Sequence, residues 1–336
     1  MSRPHPSVAI VGASGAVGTE LIACLQQRRF PLRQLRLFGS TRSAGRRLAY
    51  GGESLPVEEL TEQALAGTEI ALFSAGSATA RRFVPPAVRA GTVVIDNSAA
   101  FRMDAEVPLV VPEVNADAIA THRGVIANPN CVAIIAVVPL WPLHQAFGIR
   151  RIIASTYQSA SGAGAAAMQE LRDSTRAALA GEPFSPKVLR HPYAFNLFSH
   201  DTAVDPASGA NEEETKVARE LRKIMRAPQL RISITCIRVP VLRAHAVALN
   251  VEFERAVSAD AARALLAQAP GVRVVDDVGA NHFPMPAEAS GQGDVLVGRI
   301  RTDASDASGH SLALFVAGDQ LLKGAALNAV QIAERL

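Results

Sequence analysis

The sequence predicts an α/β chain in two parts, a parallel sheet first and a mixed sheet after it. Three observations carry that prediction. Up to about residue 131, short continuous apolar runs alternate with helical patterns, the grammar of a parallel sheet buried on both faces. From Arg150 onward the strands are longer and alternate apolar with polar residues, the grammar of an α+β domain with a mixed or antiparallel sheet. At 336 residues the chain exceeds the usual single domain, and 49% apolar content is ample for two cores.

The first strand is Val8, Ala9, Ile10 and Val11. Gly12, Gly15 and Gly18 follow, and behind them runs an amphipathic helix through Leu21 and Leu25. Strand, glycine turn and helix form the context a phosphate-binding loop requires, because glycines admit the pyrophosphate and the helix N-terminus favours its charge. This predicts a Rossmann-type nucleotide-binding domain. The next strand, 35–38, ends where such folds hold the cofactor ribose. Instead of the acid that suits NAD, the chain offers Ser40, Thr41, Arg42 and Ser43. Hydroxyls and a guanidinium suit a 2′-phosphate, so NADP is expected over NAD.

Further strands are expected at 70–73, 93–95 and 125–127. Ser74 and Gly76 lie at the carboxyl end of the first of these, and Asp96 to Arg102 after the second, where ligand crevices form. Asn128, Pro129, Asn130 and Cys131 follow the third. Pro129 keeps Asn128 extended, and the apolar run from Val132 predicts a buried helix interrupted at Pro139. Cys131 then sits near a helix N-terminus, where free N–H groups and the positive dipole end favour a thiolate. These residues alone leave two readings open, a nucleophile and a small buried hydrophobe.

In the second part, strands are expected at 151–158, 231–239, 245–253, 295–301 and 312–316, with helices at 165–179, 212–225, 259–267 and 320–336. Side chains alternate faces along a strand, so Arg238 ends a face shared with Ile232, Ile234 and Cys236. His245 likewise begins a face shared with Val247, Leu249, Val251 and Phe253. A buried Arg238 needs an internal acid or an anionic ligand. On pattern alone, His245 reads as a core histidine, and Glu213 with Lys216 as a helix surface pair. Ser159, Ser161, Gly162 and Gly164 form a small turn suited to backbone approach to a ligand.

Composition narrows the classes. The net charge is +3, and the arginines are scattered without interleaved aromatics, which speaks against nucleic acid. Cys24, Cys131 and Cys236 are too few and too dispersed for a disulfide framework or a metal cage, so no metal site is expected. No run is long enough to span a bilayer, and no signal peptide is read at the N-terminus. A cytoplasmic protein is expected.

Taken together, these motifs resemble the aspartate-semialdehyde dehydrogenase family of lysine, methionine and threonine biosynthesis. The likeness runs through Gly12 to Gly18, the turn at 40–45, residues 96–103, 110–115 and 128–131, then 155–164, 238–240, His245 and 323–334. It implies Cys131 as nucleophile and His245 as general acid/base. Asn130 and Gln158 would orient the substrate, Arg238 its α-carboxylate and Glu213 its ammonium, with Arg102 and Lys216 on the phosphate. Cofactor contacts would come from Gly12, Ser14, Gly15, Ala16 and Val17, from Ser40, Thr41, Arg42 and Ser43, from Ser74 and Gly76, and from Ser161, Gly162 and Gln320.

The resemblance further implies a homodimer that takes a small-molecule substrate and phosphate. The NADP domain is expected at 1–131, completed by a helix at 320–336, with the catalytic and dimerisation domain at 132–319. The chain departs from the family pattern at Val132, Ala244, Ala246, Gln320 and Leu322. Two other readings compete: an enzyme resembling N-acetylglutamyl-phosphate reductase, and a catalytically weak or silent paralogue.

Overall fold

The computed structural model describes residues 5–336. The chain forms two compact units: residues up to Asn130 together with Ala325–Leu336, and Cys131–Gly324. The sequence reading drew these boundaries after residue 131 and before residue 320.

In the first unit the strands are β1 (Ser7–Val11), β2 (Gln34–Gly39), β3 (Arg47–Tyr50), β4 (Glu53–Glu59), β5 (Ile70–Phe73), β6 (Val93–Asp96) and β7 (Val125–Ala127). They form one sheet in the order β3-β4-β2-β1-β5-β6-β7. Its helices are α1 (Ala16–Gln27), α2 (Ser77–Arg89) and the single turn α3 (Pro112–Asn115). From β2 to β7 the pairings are parallel. β1 and β5 are buried along their whole length, which is why they read as unbroken apolar runs. The edge departs from the expected all-parallel sheet, because β3 pairs with β4 antiparallel across Gly51 and Gly52. Both glycines have positive φ, +60° and +86°, as a two-residue turn between right-twisted strands needs.

The second unit begins with α4 (Cys131–Phe147), followed by β8 (Ile149–Gln158), α5 (Ala165–Ala180), β9 (Phe198–Ser199), α6 (Glu212–Ile224), β10 (Arg231–Arg238) and β11 (His245–Phe253). It continues with α7 (Ala259–Leu266), β12 (Val272–Val274), α8 (Pro286–Ala289), β13 (Val295–Thr302) and β14 (Ser311–Gly318). The sheet order is β12-β13-β14-β11-β8-β10-β9, mixed as expected. The helix α4 packs against α6, α7, β11 and β14, and Val132 to Leu140 are buried. An almost fully buried helix is apolar all round. Pro139 and Pro142 lie inside it, so the expected break at Pro139 does not occur. Burial on several sides offsets the missing N–H donors.

The C-terminal helix expected at 320–336 is shorter and composite: a π-helical turn over Leu322–Ala326, then α9 (Leu327–Ala333). The Asp319 carboxylate accepts from the N–H groups of Leu321 and Leu322 and sets the start of that turn. Among the described residues, no helix is long and apolar enough to cross a membrane.

Candidate active site

In the first unit the sheet order reverses between β1 and β5, and the carboxyl ends of those strands meet there. Crevices at such reversals bind ligands in open α/β sheets. Gly12 sits at that point with φ +86°, and a Cβ on it would lie 2.3 Å from the Ser74 carbonyl oxygen. The glycine therefore has no substitute there. Beyond it, α1 begins with no acidic residue in its first turn, leaving its N-terminus open to an anion.

A cleft of about 450 Å³ opens over this loop, and Gly12, Ser14, Gly15, Ser40, Thr41, Ser43 and Ser74 line it. Its size and its glycine and hydroxyl lining fit a dinucleotide. Ala16 and Val17 form the first turn of α1 behind the loop.

Two expected contacts fall outside the lining. Arg42 is exposed in a turn closed by the Ser43 N–H donating to the Ser40 carbonyl at 2.8 Å. Gly76 caps α2 outside the lining. The cation in the cleft is instead Arg82 of α2, whose guanidinium lies 4.8 Å from the centre of the Phe83 ring. The paired arginines 81 and 82, a few residues into a helix that starts at a strand end, were the overlooked signal. Glu59 reaches the same cleft from the end of β4 and accepts from Thr41 Oγ1 at 2.5 Å.

The Gly12 geometry yields a direct test. Gly12→Ala puts a non-glycine residue at positive φ, costing about 1–3 kcal/mol, and drives its Cβ into backbone. We expect a lowered melting temperature and NADPH binding too weak to saturate in a fluorescence titration. Unchanged NADPH affinity would show that the loop is not the cofactor cradle.

Arg102 is only 8% exposed. Its Nε donates to the Asn128 carbonyl at 3.0 Å and its Nη2 to the Asn97 carbonyl at 2.7 Å. The Asn128 side chain is fixed in turn by Asn97 and Asn328. Asn130, which precedes Cys131, is buried.

In the second unit, Cys131 is the first residue of α4 and is partly buried. Strand register gathers the other groups at one end of the sheet. β8 and β10 run parallel with Gln158 opposite Arg238, and β11 runs antiparallel to β8 and starts at His245. All three side chains are buried, to 1%, 3% and 0% exposure. Gly162 lies against two of them: a Cβ there would be 2.9 Å from His245 Nε2 and 3.3 Å from Arg238 Nη1. Gly324 packs on Cys131, where a Cβ would be 2.9 Å from the cysteine Cβ.

Gln320 ties these pieces together. Its amide oxygen accepts from the Ala244 N–H at 2.9 Å, and its amide nitrogen donates to Ser161 Oγ. Ala244 has φ +72°, which explains why glycine suits that position and marks local strain beside His245. Asp319 anchors the same corner by accepting from Arg243 Nε at 2.7 Å and the Gly291 N–H at 2.6 Å. A lone acid in the apolar stretch 312–322 was the signal for it.

Arg238 donates through Nη1 to the Ser159 carbonyl at 3.1 Å and through Nη2 to His200 Nε2 at 2.8 Å, with Asp201 at 3.4 Å. Burial, then the guanidinium, holds His200 below the usual imidazole range, which keeps it an acceptor. Sequence reasoning missed His200, which lies in a loop without periodicity. Two buried nitrogens, Arg238 Nε and His245 Nε2, have no partner among the described residues.

The helix pair at 213 and 216 is not the surface pair its spacing suggests. Asn211 and Glu214 form a reciprocal capping box at the start of α6, and Glu214 also accepts from the Cys236 N–H at 3.0 Å. This aims Glu213 inward, where it accepts from Gln158 Nε2 at 3.1 Å, while Lys216 pairs with Glu212 at 3.1 Å.

A dinucleotide cleft in one unit, with a thiol at a helix start and a buried histidine and arginine in the other, is the make-up of a dinucleotide-dependent oxidoreductase. Residues 7–122 match the family model described as "Semialdehyde dehydrogenase, NAD binding domain", and residues 140–323 the model "Semialdehyde dehydrogenase, dimerisation domain". The chain is 51% identical to an aspartate-semialdehyde dehydrogenase of Synechocystis, covering 99% of this chain and 98% of that one. It is 43% identical to the Bacillus subtilis enzyme of the same name, over 98% and 96%. A Vibrio cholerae aspartate semialdehyde dehydrogenase II crystallised with ASA superposes with a TM-score of 0.96 at 40% identity, over 99% and 98%. The chain belongs to the aspartate-semialdehyde dehydrogenase family.

Proposed function

We propose that the protein catalyses the NADPH-dependent reductive dephosphorylation of L-aspartyl 4-phosphate to L-aspartate 4-semialdehyde, through a thioester on Cys131, in lysine, methionine and threonine biosynthesis. The pair of unpartnered buried nitrogens on Arg238 and His245, two side chains that meet at Gly162, carries the reading. Buried polar groups are nearly always hydrogen-bonded, so two orphans on adjacent side chains call for a ligand with acceptors at both places. An amino-acid acyl compound supplies them: its α-carboxylate for Arg238 and its reacting carbonyl for His245.

The Cys131 thiolate attacks the acyl carbon and expels phosphate, since a soft nucleophile that also leaves well suits an acyl transfer followed by release. Arg238 grips the α-carboxylate through its Nε edge, a two-pronged geometry natural to guanidinium. Glu213, held by Gln158, takes the ammonium. Arg102 and Lys216 neutralise the phosphate. The loop at Gly12 and the hydroxyls of Ser40, Thr41 and Ser43 hold the cofactor, with Arg82 for a 2′-phosphate. When bound, NADPH supplies the hydride that reduces the thioester. A thiol nucleophile suits a reducing compartment such as the cytoplasm, and the match to a dimerisation domain supports a homodimer.

The buried Glu213 also weighs against the N-acetylglutamyl reading, because an acetylated amine offers no ammonium to pair with it. The test is phosphate-dependent reduction of NADP by aspartate semialdehyde, run beside the N-acetylglutamate analogue and with NAD in place of NADP. We expect turnover with aspartate semialdehyde and NADP at least about tenfold above the other combinations, a preference worth about 1.4 kcal/mol. Activity only with the N-acetylated substrate, or none with either from folded protein, overturns the proposal.

A further inference from the structure

We infer that His200 is a positioning residue for Arg238: a neutral acceptor that satisfies the buried guanidinium without cancelling its charge, which stays available to an anionic group of the substrate. The inference rests on the proposed function for that group, the α-carboxylate. It goes beyond that reading in assigning what prepares Arg238 to take it.

A buried guanidinium usually settles against an internal carboxylate, because an unpaired charge in the interior is costly. Arg238 is held differently. Its Nη1 donates to the Ser159 carbonyl at 3.1 Å and its Nη2 to His200 Nε2 at 2.8 Å, and neither acceptor carries a negative charge. The Asp201 carboxylate stands off at 3.4 Å from Nη2 and is 20% exposed. Nη2 carries two N–H groups, so the bond to His200 leaves one beside the unpartnered Nε. An ion pair made inside the protein would have to break before a substrate carboxylate could take both prongs. Two neutral acceptors can stay where they are.

The backbone delivers His200 to this place. β9 pairs antiparallel with β10, with Phe198 opposite Arg238, and the His200 N–H then donates to the Cys236 carbonyl at 2.9 Å. Because Nε2 accepts, the neutral ring carries its proton on Nδ1, which faces Thr202 Oγ1 at 3.3 Å. The Thr202 oxygen also accepts from the Glu213 N–H at 3.3 Å, a donor in the first turn of α6 that has no partner within the helix. Residues 200–202 thus tie together Arg238 and Glu213, the groups assigned to the two charges of the amino acid.

The surroundings keep the ring neutral. Burial first and the Arg238 guanidinium second hold its pKa below the ordinary imidazole value; Glu213 and Asp201 pull it up and Lys216 pushes it down. The net direction is downward, so at neutral pH Nε2 keeps its lone pair.

The test compares three full-length variants with the wild type at pH 8, each checked for folding by circular dichroism. His200→Gln offers a neutral acceptor, His200→Glu a carboxylate of the same size, and His200→Leu no acceptor. We expect the glutamine variant to keep KM for aspartate semialdehyde within about threefold of wild type. The glutamate and leucine variants should each raise it at least about tenfold, with kcat within about threefold and KM for NADP unchanged in all. A residue that merely filled space would not separate glutamine from glutamate. A folded glutamate or leucine variant with wild-type KM, or a glutamine variant that is unfolded or no better than they are, overturns the inference. Absence of wild-type turnover counts against the proposed function instead. The same order is then read from titrations with L-aspartate, which carries both charged groups, and a glutamate variant that binds it as the wild type does overturns the inference.

Discussion

Replacing Cys131 with serine should lower turnover by on the order of 10⁴-fold or more while the protein stays folded. The sulfur sits on the first residue of α4, where helix polarity favours its anion. A serine hydroxyl gains little from that placement, because its pKa is far too high for the anion to form. It is also a poorer leaving group when the reduced intermediate must collapse. NADPH affinity should be unchanged, because the glycine loop and its cleft belong to the other unit. The comparison is steady-state kcat for the two proteins beside a cofactor titration. A serine variant within about tenfold of wild type would exclude covalent catalysis at this residue.

Arg238→Met should lower kcat/KM for aspartate semialdehyde by roughly 10²–10³-fold, mostly through KM, a loss of about 3–4 kcal/mol. The guanidinium is 3% exposed, and two of its nitrogens are already committed, to the Ser159 carbonyl and to His200. Those bonds present its Nε edge. Methionine fills similar space without leaving a charge buried, so stability should change little. A substrate analogue without the α-carboxylate provides the control. Wild type and variant should use it equally poorly if Arg238 binds that carboxylate. An unchanged KM with the true substrate would remove Arg238 from the binding site.

Much of this was legible before any coordinates. Strands buried on both faces announce themselves as apolar runs, so Ile70–Phe73 and Val125–Ala127 were bounded to the residue. Alternation placed Arg238 and His245 at the ends of apolar faces; His245 does begin a buried one, while the face that Arg238 ends is half-buried at Ile232 and Ile234. The edge hairpin β3–β4 escaped because its strands are half exposed and polar. Its Gly51–Gly52 turn was the available clue.

What periodicity could not give was the direction of side chains fixed by distant partners. Spacing alone paired Glu213 with Lys216, whereas the capping box and the Gln158 contact turn one inward and leave the other with Glu212. The same limit hid His200 and Arg82. The Ser159 N–H bond to His245 Nδ1 was equally invisible, because a backbone donor leaves no mark on residue identity.

Trapping the acyl-enzyme tests the central claim most directly. Wild-type protein is incubated with aspartyl phosphate without NADPH, quenched in acid, digested and weighed by mass spectrometry. The peptide carrying Cys131 should gain the mass of an aspartyl group, sensitive to hydroxylamine and absent from Cys131→Ser. An adduct on another residue, or none while the same preparation turns over with NADPH, would contradict it.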